Sequence, residues 1–352
     1  MSSLLLVGGH LKDTQLFEGG EGYLCDRALL LELDTEHNVS TRVLEYVSPT
    51  HIYPPDVPEI LFRSASVKSG QIYLCTGTEV FGYALSSMSL SFYLSLPSFN
   101  DLHHVVPTSA GTLLLANTGL DMVMETTPDG TVLREWDVMG GADAWTRFSR
   151  DTDYRIVSTK PHRSHPNYVF TIDDDIWVTR FHQRDALCLT RADARIIIDV
   201  ERPHDGHAYG DWIIFSTVDG HLVIAHKKTM KIEEIIDLAA IDNPAHNLLG
   251  WCRGILPVSE THFWVGFTRI RPTKFKEHLL WIRHGFRQVE KPTHLALYDI
   301  SNRRCLQEIN LEEYGMGIVF SIHARPVNNA TNSRDNQVLL RASVDMRERT
   351  NV

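Results

Sequence analysis

The chain has 352 residues, a net charge of −10 with histidine counted as neutral, and an apolar fraction of 43%. This acidic balance argues against nucleic-acid binding, which needs a basic surface. No apolar run reaches the ~18 residues of a membrane-spanning helix, and the start of the chain does not match a signal peptide. Five cysteines without a C-x-x-C pair fit reduced thiols. We therefore expect a cytoplasmic protein with no nucleic-acid or membrane partner; its oligomeric state is left open.

Short apolar segments separated by polar turns recur along the chain. The clearest of them begin at Ile72, Leu113, Ile176, Ile213 and Phe263. Each follows one strand-like segment and precedes two more. Four short strands in ~40–50 residues is the pattern of a β-propeller blade. Five blades fit between residues 58 and 316.

Strand-like segments remain at both ends of the chain, at 4–7, 28–33, 42–46 and 318–323. A sixth blade that combines the two ends would close the ring and leave no exposed sheet edge. The sequence thus predicts an all-β fold: a six-bladed β-propeller, closed by N- and C-terminal strands in one blade, as a single domain over residues 1–352.

Two insertions interrupt the repeat, at 139–163 and at 269–292, and the second contains a predicted short helix around Phe275–His284. The first is too irregular to form a seventh blade. Insertions in repeat proteins collect on one face, which is often the binding face. Surface loops without any role are an equally open interpretation.

Eighteen histidines are present, and the repeat assigns some of them to equivalent places. The first strand of each propeller blade lines the central channel, so residues just before each second strand should form a ring around the axis. These positions hold Arg63, His103 or His104, His165 with Asn167, His204 with His207, Arg253 and, in the closing blade, His323. Because neighbouring strand residues point to opposite faces, only one of His103 and His104 is expected to face the axis. Gly206 predicts a turn that brings His204 and His207 together.

A ring of neutral imidazoles suits a divalent metal ion. The predicted ligands are His104, His165, His207 and His323, with Asp205 or Glu125 orienting them, and the metal is Zn, Fe, Mn, Ni or Ca. The predicted catalytic residues are His104, His207, Arg63 and Arg253. The two arginines favour a small anionic substrate, since guanidinium pairs bidentately with carboxylate, phosphate or sulfate.

Three functions remain open at this point. The first is a metal-dependent hydrolase, lyase or isomerase. The second is a metal-free sulfo- or phosphotransferase in which His104 or His323 attacks an ester. The third is a non-catalytic binding propeller, in which the polar channel residues only bond water and backbone.

The segment 102–117 resembles blades of two propeller groups. One is the gluconolactonases and senescence-marker-type lactonases, which implies a divalent metal on the axis, although no matching set of Glu, Asn and Asp ligands is evident here. The other is the arylsulfate sulfotransferases, which implies histidines and arginines at the channel and a histidine nucleophile. Those enzymes are exported, whereas no export signal is seen in this sequence. Neither resemblance covers more than one or two blades.

Overall fold

The computed structural model describes residues 3–11, 25–55, 59–141, 143–243, 247–270 and 291–326. These residues form six four-stranded antiparallel sheets, arranged as a six-bladed β-propeller. The predicted all-β, six-bladed fold is confirmed. Of the two insertions, 139–163 contains no strand in its described part, while the predicted helix around Phe275–His284 lies outside the described residues. No helix in the described ranges is long and apolar enough to cross a membrane.

The strands are defined here in chain order. The first half comprises β1 Ser3–Leu11, β2 Cys25–Asp34, β3 Val39–Tyr46, β4 Ser64–Lys68, β5 Gln71–Cys75, β6 Val80–Ala84, β7 Ser89–Leu94, β8 Leu102–Pro107, β9 Leu113–Asn117, β10 Met122–Thr126, β11 Val132–Asp137 and β12 Pro166–Ile172. The second half comprises β13 Asp175–Arg180, β14 Asp185–Cys188, β15 Arg195–Ile197, β16 Pro203–Tyr209, β17 Trp212–Thr217, β18 His221–His226, β19 Ile232–Asp237, β20 Trp251–Pro257, β21 His262–Thr268, β22 His294–Asp299, β23 Arg304–Asn310 and β24 Ile318–Ala324.

Each blade is built from four strands, and its innermost strand borders the central channel. Blades 1 to 5 run consecutively from β4 to β23, with β4, β8, β12, β16 and β20 innermost. Blade 6 has the order β24-β1-β2-β3. The inner strands all run in the same direction, and the end of the channel at which they begin is called the mouth below.

Packing between blades explains the strand pattern in the sequence. All five residues of β9 are buried, because a second strand has a neighbouring blade on each face. The outer strand β11 has no buried residue. One apolar cluster joins Leu5 and Leu30 of blade 6 to Phe62 and Leu74 at blade 1. The core is therefore a ring of such inter-blade layers rather than a single centre.

Blade 6 is closed by strands from both ends of the chain, as predicted. Strand β1 pairs with β24 on one side and with β2 on the other, antiparallel in both cases. Gly8 lies in this seam, where an added Cβ would stand 1.9 Å from the carbonyl oxygen of Ile318. A side chain at this position would therefore push the two closing strands apart.

We predict that Gly8→Ala lowers the free energy of unfolding by about 3 kcal/mol, since overpacking against backbone cannot be relieved by a side-chain rotation. Gly70→Ala is the control. Its Cβ would meet nothing within 4 Å and it carries only the strain of a φ of 74°, about 1 kcal/mol. Urea unfolding of both variants measures the difference. Equal losses would contradict the described closure.

Candidate active site

The inner strands share an irregularity close to the mouth. Five of them, β8, β12, β16, β20 and β24, hold one residue more than their partner strand at this place. The residues at these bulges are His103, Asn167 with Tyr168, His204 with Asp205, Arg253 with Gly254, and Phe320. Arg63 directly precedes the sixth inner strand, which pairs without a shift. Because a bulge re-aims side chains, the six blades together present a ring of mostly polar groups.

Phe320 spans the channel. It belongs to blade 6, yet its ring lies 6.5 Å from that of His103 in blade 2 and 5.7 Å from that of His204 in blade 4. The guanidinium carbon of Arg253 lies 4.3 Å from the Phe320 ring centre. Contacts with three other blades place this ring across the axis, so the middle of the polar ring is apolar.

His204 forms a dyad with the residue that follows it. Its Nδ1 lies 2.9 Å from Oδ1 of Asp205, and Oδ2 of Asp205 accepts from the backbone N–H of Gly254 at 2.6 Å and from Ser216. Burial opposes ionisation of Asp205, but these donors outweigh it and lower the pKa of the carboxyl. Nδ1 of His204 therefore carries a hydrogen, and in the neutral imidazole the free lone pair is on Nε2.

His103 and His104 both contact residues of other blades, His103 through Arg63 and His104 through Val169. The bulge between Leu102 and His104 breaks the alternation of the strand. His103 donates from Nδ1 to the Asp101 carbonyl at 2.8 Å. His104 instead accepts at Nδ1 from the backbone N–H of Val169 at 3.2 Å. In neutral His104 the hydrogen is consequently on Nε2, which is a donor, whereas in neutral His204 the hydrogen is on Nδ1.

The Gly206 turn is a correction, since Gly206 lies inside β16. Its missing side chain admits two rings, because an added Cβ would stand 3.1 Å from both Phe170 and Phe215. His207 is nevertheless near the channel residues: its ring lies 4.9 Å from that of Tyr168. Tyr168 in turn stacks on His104 at 3.7 Å.

At the mouth, Arg63 is already engaged by carboxylates. It lies 2.8 Å from Asp101 and 2.9 Å from Glu59, and its Nη1 lies 3.4 Å from Nε2 of His103. The expected role of Arg63 in anion binding therefore competes with two carboxylates that neutralise it. Arg253 contacts the Trp251 ring as well as Phe320, with its guanidinium carbon 5.4 Å from the Trp251 ring centre.

The loop before β12 is fixed by one carboxylate. Asp121 accepts from the backbone N–H groups of Arg163, Ser164 and His165, each at 2.9 Å, and from Arg147 at 2.8 Å. The anchored loop places His162 and His165 with their Nδ1 atoms 2.9 Å apart, and the His165 ring 4.7 Å from that of His103. Asp121 thus ties the insertion to the ring.

The predicted metal ligands fall into two groups. His165 lies at the mouth, beside His103. His104 and His207 form a second group, because the Tyr168 ring contacts both. Nε2 of His323 forms a hydrogen bond with Ser321 at 3.1 Å. Within the described ranges, no three His, Cys, Asp or Glu side chains are placed to hold a metal ion. Glu125 lies in β10, the third strand of its blade, where it accepts a hydrogen bond from Thr112. It is therefore away from the channel. A bound metal remains a prediction that this arrangement does not itself support.

Burial keeps five of the histidines around the channel neutral. It lowers the pKa of His104 and of His323 to about 3, that of His103 and His165 well below the usual value, and that of His207 as well. Neutral imidazoles can each offer one donor and one lone pair. The channel therefore offers uncharged hydrogen-bonding groups at neutral pH.

Several buried polar atoms of these side chains have no hydrogen-bond partner. Around the channel they are Nε of Arg63, Oδ2 of Asp101, Nε2 of His104, Nε2 of His162, Oδ1 of Asn167 and Nε2 of His204. Each such atom costs about 1–3 kcal/mol, and violations of this kind are typical of functional sites. Sequence analysis missed Asp101, His162 and Phe320. The run of histidines and arginine just before β12 was the available signal for His162.

Comparison with known proteins supports the fold alone. No protein-family model and no curated protein matches the chain. A protein of unknown function from Bacteroides caccae aligns over 92% of this chain and 98% of its own, with 11% identity and a TM-score of 0.58. A nidogen/laminin complex aligns over 91% of this chain and 97% of its own, with 8% identity and a TM-score of 0.53.

A streptogramin B lyase aligns over 88% of both chains with 13% identity, but its TM-score of 0.46 is too low to carry an argument. The resemblance to lactonases and sulfotransferases stays a prediction.

The low pKa of His104 has a consequence for stability. The unfolded chain takes up a proton at this residue near pH 6.5, whereas the folded chain does so only near pH 3. The free energy of unfolding must therefore fall as the pH drops from 6.5 towards 3. We predict that His104→Gln reduces this slope by about 1.4 kcal/mol per pH unit. Urea unfolding between these limits measures it, and an unchanged slope would show that His104 is not buried in neutral form.

Proposed function

We propose that this protein is an enzyme that removes a proton from a carbon atom next to the carbonyl group of a small molecule, as a lyase or isomerase does. The observation that supports the proposal is the pair His204 and His104. Their Nε2 atoms are both buried and unpartnered, and the two rings carry opposite tautomers. One Nε2 is a base and the other is a hydrogen-bond donor.

His204 has the arrangement of a general base. Asp205 holds the imidazole by Nδ1, directs the Nε2 lone pair away from itself, and stabilises the imidazolium that forms when a proton is taken. Gly254 and Ser216 fix the carboxylate in turn. The substrate C–H bond breaks, its electron pair moves towards the carbonyl, and the proton passes to Nε2.

His104 would stabilise the negative charge that develops on the carbonyl oxygen of the substrate. A neutral imidazole N–H stabilises an oxyanion without donating its proton completely, and the low pKa of His104 keeps it neutral. The two histidines lie on either side of β12, because His104 stacks on Tyr168 of that strand and His204 belongs to the next inner strand, β16. Arg253 would hold an anionic group of the substrate. Since the Phe320 ring lies beside His204, a substrate has to displace that ring.

The alternatives fit less well. A histidine nucleophile needs a free lone pair, but Nε2 of His104 carries hydrogen because its Nδ1 accepts from Val169. A non-catalytic scaffold gives no reason for a buried base without a partner. The metal-dependent form stays a separate proposal, in which the ion would polarise the carbonyl in place of His104. Elemental analysis of untagged protein tests it, and one equivalent of a divalent metal would support it.

Proton abstraction is measured without knowing the final product. The protein is incubated in D2O with dihydroxyacetone, D-ribulose, D-fructose and 2-keto-D-gluconate, and NMR follows deuterium entering the position next to the carbonyl. We expect exchange on at least one compound. His204→Gln should reduce the rate by about 10²–10⁴-fold, and Asp205→Asn should also reduce it because it removes the negative charge that fixes the tautomer.

The matched control is His37→Gln, at an exposed turn of blade 6, which should retain the full rate. Exchange on none of the four compounds, or equal exchange in His204→Gln, would contradict the proposal. Circular dichroism of each variant establishes that it is folded before rates are compared.

A further inference from the structure

A second feature of the mouth is a cleft between blades 1 and 2, with about 70 Å³ of free space. A single water needs ~10–15 Å³ on this measure, so the cleft admits a fragment of several heavy atoms. Its walls come from three distant parts of the chain: the segment after β3, the turns of blades 1 and 2, and residues 157–160 of the insertion. The insertion thus contributes to a cavity at the mouth.

The charges in this cleft cancel. Arg63 and Lys160 bring two positive charges, and Asp101 and Glu59 bring two negative ones. A ligand with a net charge would disturb this balance, so the cleft favours a neutral one.

Hydrogen-bonding groups of both kinds line the cleft. Thr78 and Ser48 donate their hydroxyl hydrogens inward, to the Ile52 carbonyl and to Glu79, and so keep lone pairs for a ligand. Lys160 is half-exposed and lies 3.9 Å from its carboxylate partner, so it has hydrogens to donate. His162 is 2% exposed, and its Nε2 has no hydrogen bond but lies 3.7 Å from Oδ2 of Asp101. Groups that donate and accept at close spacing match the hydroxyls of a ligand, since a hydroxyl does both.

One wall of the cleft is flatter and less polar. Tyr53 and Pro54 form it, and both are half-buried. An aromatic and a proline ring offer apolar surface to the C–H face of a cyclic polyol while its hydroxyls meet the opposite wall. An acyclic charged ligand would leave this wall unused.

We propose that the cleft binds a neutral, polyhydroxylated ring, such as a sugar, which is the non-reacting part of the substrate. This inference rests on the proposed function for its role but not for its chemistry. The cleft adjoins the reaction site through Arg63, which contacts His103, and through His162, which contacts His165. A sugar held here would extend its carbonyl end towards the axis.

Gly77 provides a sharp test, because it lines the cleft and has room for one methyl group. An added Cβ would stand 3.7 Å from Nε of Arg63 and 3.8 Å from Nη2, which are ordinary contacts, and no positive φ strains it. Gly77→Ala should therefore fold normally and reduce the free space. Ser109→Thr adds one methyl at an exposed turn and is the matched control.

The experiment titrates D-glucose, D-gluconate and D-glucosamine, which are neutral, anionic and cationic, while NMR follows the backbone amides. We expect D-glucose to shift the amides of residues 76–78, 158–160 and 162 with the lowest Kd of the three. Gly77→Ala should raise that Kd about tenfold, and Ser109→Thr should leave it unchanged. Tighter binding of D-gluconate or D-glucosamine, shifts confined to other regions, or no shifts with any sugar would overturn the inference.

His204→Gln separates the two proposals. It should lose deuterium exchange and still bind D-glucose with an unchanged Kd, since its side chain is not part of the cleft. If exchange requires His204 but no sugar shifts the cleft amides, the reaction stands and the assignment of the cleft is wrong. If sugar binds in the cleft and exchange never occurs, the assignment of the cleft stands and the proposed reaction is wrong.

Discussion

The site depends on one extra residue in the inner strands. Without the bulges at the mouth, His103, His204 and Phe320 would follow the regular alternation of a strand and pack between blades. The bulge turns these side chains towards the channel, and the rotational repeat brings the three together around the axis. A structural irregularity repeated in five blades thus becomes a single site.

Burial in this ring sets the chemistry. Desolvation lowers the pKa values of the histidines, so they remain uncharged, while Asp205 stays ionised because His204 and Gly254 donate to it. Nδ1 of His204 faces a carboxylate, whereas Nδ1 of His104 faces a backbone N–H, and these two neighbours select opposite tautomers. The buried atoms without hydrogen bonds lower the stability of the fold. Inter-blade packing offsets this loss, and so do buried groups such as Glu79, which accepts hydrogen bonds from four hydroxyls.

The propeller and its closure were predictable, because second strands such as β9 and β17 are apolar on both faces and recur with the blade. The ring was also predictable in outline, since equivalent positions in a repeat meet at the axis. The bulges were not predictable, because no local pattern marks the extra residue, and Gly206 lies inside a strand where the sequence predicts a turn. Phe320 and Asp101 escaped notice because their roles depend on contacts with other blades, which no local pattern reveals.

The tautomers of His204 and His104 test the account most directly. Long-range ¹H–¹⁵N NMR correlations within the histidine rings show which nitrogen carries the hydrogen. We predict that the neutral ring of His204 carries hydrogen on Nδ1 and none on Nε2, and that His104 has the reverse arrangement. Identical tautomers in the two rings, or an imidazolium at His104, would contradict it.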